Sequence, residues 1–208
     1  MIIPFSYQSE CRSALDTVRS KGIRRALIVM ASGLGKTVTS ALDAQAWLGQ
    51  NKGRLLYLCH QNDILDQSRG TFESILGPTY SYGCLNSREK RIHQIDCVFA
   101  SFQTLRGSIA SLFRPDEFDY VIVDESHHTH ALSYLKVVEY FKPKFLLGMT
   151  ATPDRQDGLN IRSVYGEEVY YLPLEEALIR GLLTSVDYRL VSDEISLEKI
   201  KQKNILNI

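Results

Sequence analysis

A chain of 208 residues is long enough for one globular domain with a substantial core and too short for two. Apolar residues at 44% and charged residues at 23% exclude a disordered or collagen-like chain. Twenty-four basic side chains balance 24 acidic ones, which excludes a global electrostatic pull toward nucleic acid or an anionic membrane; any polyanion must be held locally. Cys11, Cys59, Cys84 and Cys97 lack CxxC spacing and read as reduced, buried thiols of a cytoplasmic protein. The opening MIIPFSYQSE carries no basic-then-apolar leader, and no run approaches the roughly 18 apolar residues of a membrane span. The protein is therefore expected to be neither secreted nor membrane-spanning.

In chain order, the first expected element is a helix from about Gln8, with Ala14, Leu15 and Val18 on one face and Gly22 as its C-terminal cap. Short apolar runs then alternate with segments of helical period. Strands are expected at Arg25–Met30, Leu55–His60, Asp96–Ser101, Tyr120–Asp124 and Phe145–Met149, and helices at Thr37–Gln50, Asn62–Leu76, Gln103–Phe113 and Ala131–Phe141. Beyond Pro153 the pattern loosens through DRQDGLN, then recovers in a helix over Leu174–Arg180, capped by Gly181, and a strand over 185–191, SVDYRLV. The repeating βα layout predicts an α/β fold, a mainly parallel sheet flanked by helices. Residues 1–191 are assigned to this domain and 192–208 to the start of a linker.

Two segments carry chemistry. In IVMASGLGKT, Ile28–Thr37, an apolar strand runs directly into a glycine-rich loop and then a helix. Ser32, Gly33, Leu34 and Gly35 form a turn whose backbone N–H groups can cradle phosphate oxygens; Lys36 can reach the terminal phosphates and the Thr37 hydroxyl can ligate magnesium. In YVIVDESHH a strand ends in two adjacent carboxylates, at the sheet edge where open α/β folds place their chemistry. Asp124 is placed to hold hydrated magnesium and Glu125 to polarise an attacking water, so Lys36 and Glu125 are the expected catalytic residues. His127, His128 and His130 lie in a turn with no second ligand group at a recognised spacing and are read as turn histidines, not metal ligands.

Taken together and in this order, MASGLGKT, DESH and GMTATP resemble motifs one, two and three of superfamily two helicases and translocases, most closely the group of restriction-enzyme motor subunits and repair helicases. The resemblance spans almost the whole chain and implies a RecA-like P-loop domain that binds ATP with Mg2+. It also implies further roles. Tyr7 and Gln8 resemble the family's adenine-reading pair, although Phe5 and Ser6 stand where Arg-Pro is usual. LYLCHQNDILDQS, with His60 and Gln61, and ASFQTL, with Ser101, Gln103 and Thr104, resemble segments that face the nucleic-acid backbone; their donors are mostly neutral. His127, Thr150 and Thr152 would couple the ATP site to that face. The arginines that such motors draw from a second RecA-like domain have no matching motif after Thr152, so the chain resembles the first half of a two-domain motor. DNA, bound through its backbone, is the expected partner. A nucleotide-dependent nucleic-acid-binding module without motor cycling remains the alternative.

Overall fold

The structure, a computed structural model, describes residues 3–90, 92–126, 132–152 and 161–184. Its elements run α1 (Ser6–Ser20), β1 (Arg25–Met30), α2 (Lys36–Gln50), β2 (Leu55–Cys59), α3 (Asn62–Leu76), β3 (Tyr82–Leu85) and β4 (Cys97–Ser101). Two short helices follow, α4 (Phe102–Leu105) and α5 (Ile109–Leu112), then β5 (Tyr120–Val123), α6 (Leu132–Tyr140), β6 (Phe145–Thr150), α7 (Arg162–Tyr165), β7 (Glu168–Leu172) and α8 (Leu174–Ile179). The seven strands form one sheet in the order β3-β4-β2-β5-β6-β1-β7, and every described strand pairing is parallel.

Successive side chains of a strand point to opposite faces, so a strand buried on both sides must be apolar throughout. Ala26, Ile28 and Met30 of β1 pack on one face with Leu55 and Tyr57 of β2, against α1, α2 and α3. Leu27 and Val29 pack on the other with Leu56 and Leu58, beneath Leu105, Phe113, Val137 and Phe141. This two-sided burial accounts for the unbroken apolar runs.

Five strands and the main helices fall where the sequence predicts them, to within a residue or two at most ends. Two features differ. The edge strands β3 and β7 are additions to the expected set: each is paired on one side only, β3 contains Gly83, and four of the five β7 residues are partly or fully exposed, so neither presents a continuous apolar run. The helix expected over Gln103–Phe113 is broken into α4 and α5 around Gly107. The expected strand at 185–191 and the segment beyond it lie outside the described residues. All four cysteines are free and buried, and burial pushes the Cys97 thiol up to about 12 and the Cys84 thiol up to about 11. Among the described residues no helix is long and apolar enough to cross a membrane.

Candidate functional site

Because all the strands run one way, the loops after β1, β2, β4, β5 and β6 emerge on one edge of the sheet. The loop after β1 turns twice through glycine. Gly33 (φ 87°) and Gly35 (φ 70°) adopt the left-handed conformation that a side chain disfavours, and Gly35 is the N-cap of α2. The backbone N–H groups at that helix start have no intrahelical partner, which with the helix dipole makes the loop an anion cradle. Ser32 and Gly33 are exposed while Leu34 is buried as an anchor. The loop is braced from both sides: Tyr7 Oη donates to the Leu34 carbonyl at 3.1 Å, and the Ala31 N–H donates to the Leu172 carbonyl at 2.9 Å. Gln8 is buried beside Gly35, where an added Cβ would stand 3.2 Å from its Nε2, and its Oε1 accepts the Phe5 N–H at 3.1 Å. Lys36 Nζ donates to the Met30 carbonyl at 3.3 Å, folding its ammonium back toward the end of β1. Thr37 is half-buried in the first turn of α2.

Asp124 and Glu125 follow β5, two strands away. The Asp124 N–H donates to the Leu58 carbonyl at 2.9 Å and extends the pairing with β2 by one residue. Its carboxylate is held on both oxygens: Tyr57 Oη donates to Oδ2 at 2.6 Å and the Glu125 N–H donates to Oδ1 at 2.9 Å. Burial raises the Asp124 pKa above the ordinary carboxylate value; the Tyr57 hydrogen bond opposes this, the Glu125 charge adds to it, and Lys36 opposes it from across β6. Lys36 and Asp124, on separate loops, stand at the same edge of the sheet. Glu125 is half-buried and takes a left-handed φ of 49°, a conformation that costs about 1–3 kcal/mol in a non-glycine residue. Such outliers concentrate at functional sites.

Between these two loops β6 ends at Thr150, in register with Val29 of β1. Thr150 is fully buried; its Oγ1 donates to the Thr152 carbonyl and accepts the Thr152 N–H, both at 3.1 Å. His127, with His128 and His130, lies outside the described residues.

On the other side of β5 the residues expected to face nucleic acid fall into one group. His60 Nδ1 lies 3.3 Å from Gln103 Nε2 and 3.0 Å from Tyr134 Oη, so the loops after β2 and β4 meet α6 there. Gln61 is the exposed N-cap of α3. Gln103 is exposed and Thr104 half-buried, whereas Ser101 is buried and caps α4, accepting the Thr104 N–H at 3.4 Å and pairing with Thr104 Oγ1 at 2.9 Å. The Ser101 hydroxyl thus serves the fold first, and Gln103, Gln61 and His60 form the open part of the group.

The site also contains residues that no motif in the sequence singles out. Tyr57 sits behind Asp124, and Tyr134, stacked on Phe102 at 4.6 Å, joins His60. Phe5, 64% exposed, stacks at 5.6 Å on Tyr7, whose hydroxyl braces the loop. Phe5 shows in the sequence only as a departure from the family's Arg-Pro; the Tyr57 and Tyr134 contacts arise only from the topology. The chemistry of the set is coherent. A glycine-turned cradle with a lysine suits nucleotide phosphates, and the Thr37 hydroxyl with the Asp124 carboxylate supplies hard oxygen donors of the kind magnesium prefers.

Residues 1–155 match the family model described as type III restriction enzyme, res subunit, and the chain belongs to that family. It is 28% identical over 206 residues to the type I restriction enzyme EcoAI endonuclease subunit of Escherichia coli; the match takes in 94% of this chain and 25% of that protein. The chain therefore spans about a quarter of the length of that relative. Its fold is similar to that of the Pyrococcus furiosus Hef helicase domain, with TM-score 0.71 and 20% identity over 90% of this chain and 41% of that one. It is equally similar to the DNA-bound, ATP-dependent type ISP restriction-modification enzyme LlaBIII, with TM-score 0.71 and 21% identity over 99% of this chain and 18% of that one. The fold is thus the RecA-like one of first helicase domains, as the motif order predicts.

Proposed function

We propose that this member of the res-subunit family is the N-terminal ATP-binding motor domain of a superfamily two DNA helicase or translocase, residues 1–191, with 192–208 leading toward a second RecA-like domain. Joined to that second domain, it couples ATP hydrolysis to movement on nucleic acid in the cytoplasm. The observation that carries the reading is that the glycine-turned loop bearing Lys36, after β1, and the acidic turn bearing Asp124, after β5, emerge on one edge of the parallel sheet.

In this reading the loop 32–35 cradles the phosphates through its backbone N–H groups, and Lys36 moves its ammonium from the Met30 carbonyl to the terminal phosphates. Thr37 and Asp124 hold magnesium, which when bound neutralises charge on the phosphate oxygens. Glu125 orients a water in line with the γ-phosphorus and accepts its proton as the bond to ADP breaks. Tyr7 and Gln8 hold the loop's shape, and Phe5 offers its exposed face to the base. Thr150 lies between the phosphate loop and Asp124, where loss of the γ-phosphate can reset its paired hydrogen bonds to Thr152; His127 completes this coupling. His60, Gln61, Gln103 and Thr104 meet the nucleic-acid backbone on the same edge, with Ser101 keeping Thr104 in place.

The test is ATP turnover by the full-length protein with and without DNA, for wild type and Lys36→Ala. DNA-stimulated turnover that the substitution abolishes is the expected result. Nucleotide and DNA binding with no turnover under any condition would instead establish a binding module.

A further inference from the structure

Tyr57 is a fully buried side chain in the middle of β2, between Phe72 (ring centroids 5.4 Å apart) and Phe99 (5.5 Å). A phenylalanine would fill the same space, and a buried hydroxyl needs a partner to offset its desolvation. It has two. The ionised Asp124 carboxylate can only accept, so Tyr57 Oη must donate to Oδ2 across 2.6 Å. The phenol oxygen is then left to accept from Ser68 Oγ of α3, 3.3 Å away and itself buried. The chain Ser68 to Tyr57 to Asp124 therefore has a single proton direction, pointing at the carboxylate.

The Glu125 N–H already fixes Oδ1. With Tyr57 fixing Oδ2, rotation about the carboxylate's own axis is blocked, while each oxygen keeps a further lone pair for a ligand. We infer that Tyr57 is a positioning residue that presents the Asp124 carboxylate to the divalent cation of a bound nucleotide, with Ser68 setting the direction of its proton. The inference rests on the proposed reading of Asp124 as a cation ligand. Hydrogen bonds behind a ligating carboxylate commonly govern cation affinity, and their loss costs roughly 10- to 100-fold.

The experiment measures binding of a fluorescent ADP analogue to the full-length protein as a function of Mg2+ concentration, together with the spin-resonance signal of bound Mn2+, for Tyr57→Phe, Ser68→Ala and Asp124→Asn. Tyr57→Phe keeps the ring packing and removes one oxygen. Its Mg2+ midpoint is expected to rise roughly tenfold or more, with analogue affinity at saturating Mg2+ held within about twofold and the Mn2+ signal weakened; Ser68→Ala should shift the midpoint less, in the same direction. If Asp124→Asn shifts the midpoint and Tyr57→Phe does not, Asp124 holds the cation unaided and the inference is overturned. If none of the three shifts it, the reading of Asp124 itself fails and takes the inference with it. Should Tyr57→Phe melt early, Ser68→Ala decides alone: a raised midpoint supports the chain of bonds and an unchanged one overturns it.

Discussion

Arg19 of α1 and Asp43 of α2 form a bidentate ion pair, Nη1 to Oδ2 at 2.8 Å and Nη2 to Oδ1 at 2.6 Å, and the Asp43 side chain is only 1% exposed. Tyr120 of β5 donates a third hydrogen bond to Oδ2 at 2.6 Å, and the guanidinium lies 4.9 Å from the Phe145 ring centroid. Burial opposes the Arg19 charge, but the bonds to Asp43 outweigh it and hold the Arg19 pKa above its ordinary value. The pair ties the helix that carries Tyr7 and Gln8 to the helix that opens with Lys36. Removing Asp43 leaves the Arg19 guanidinium with only the exposed Asp16 as an acidic partner, and breaking a buried pair costs roughly 3–5 kcal/mol. Asp43→Ala is therefore expected to lower the urea-unfolding free energy by about that much. Asp16→Ala, which removes an exposed contact to the same arginine, should change it by less than about 1 kcal/mol. Equal effects would show that burial does not set the strength of this pair.

Lys36→Ala should abolish nucleotide binding by the chain, because no other described cation is on the phosphate loop and the backbone cradle alone lacks a mobile charge for the terminal phosphates. Calorimetric titration with ATP and Mg2+ checks this. Equal affinity in wild type and variant would remove the loop from the nucleotide site.

The parts of this site that are written locally are legible in the amino-acid sequence alone. A glycine loop between strand and helix, and a strand ending in Asp124-Glu125, each encode their geometry within about ten residues, and parallel pairing then brings both to one edge. What is not legible depends on distant partners. Tyr57 reads as one more apolar residue in LLYLC, and only the β2–β5 pairing sets it behind Asp124. Tyr134 reads as helix core until α6 meets His60. Ser101 reads as an open donor, but the start of α4 directly after β4 turns it into a cap. The edge strands β3 and β7 leave little trace because one-sided pairing relaxes the demand for apolar residues that makes central strands visible.

Asp124→Asn should gain thermal stability relative to wild type as pH rises, while weakening nucleotide binding. Burial is the main reason the Asp124 pKa lies above its ordinary 3.8. A carboxyl whose folded pKa exceeds its unfolded value contributes stability fully below the unfolded pKa and loses it as pH rises through the folded one. The neutral amide does not titrate. The melting temperature of the nucleotide-free variant, less that of wild type, should therefore grow between acid pH and neutrality. A difference that stays flat or shrinks with rising pH would mean that the buried charge is not a cost to the fold.

Glu125→Gln in the full-length protein should retain ATP binding and lose turnover, since the amide keeps the shape but cannot accept the water's proton. Residues 1–208 alone should hydrolyse ATP near background even with DNA, because arginines supplied from outside the nucleotide-binding domain are worth roughly 10³ to 10⁵ in rate in related phosphoryl-transfer systems. Steady-state phosphate release measures both. Normal turnover in the glutamine variant would reassign the base, and robust turnover by the chain alone would refute the need for a second domain.

Nucleic acid is expected across the group formed by His60, Gln61, Gln103 and Thr104, and the character of those side chains sets how it binds. Apart from His60 they are neutral hydrogen-bond donors, so few counterions are displaced, and the logarithm of affinity should fall shallowly with the logarithm of salt. Contacts to phosphate and sugar carry no base information, so duplexes of equal length and different sequence should bind alike. Gln103 is exposed and its Nε2 lies 3.3 Å from His60 Nδ1, so Gln103→Ala removes a donor to the nucleic-acid backbone and one of the imidazole's neighbours at once. It should weaken binding by the full-length protein several-fold, equally for all sequences. Thr104→Ala should do less, because its hydroxyl is already paired with Ser101 at 2.9 Å. Fluorescence-anisotropy titrations at several salt concentrations decide the matter. A steep salt slope would point to a basic surface elsewhere, and a strong preference for one sequence would require base-edge contacts that this group of side chains does not offer.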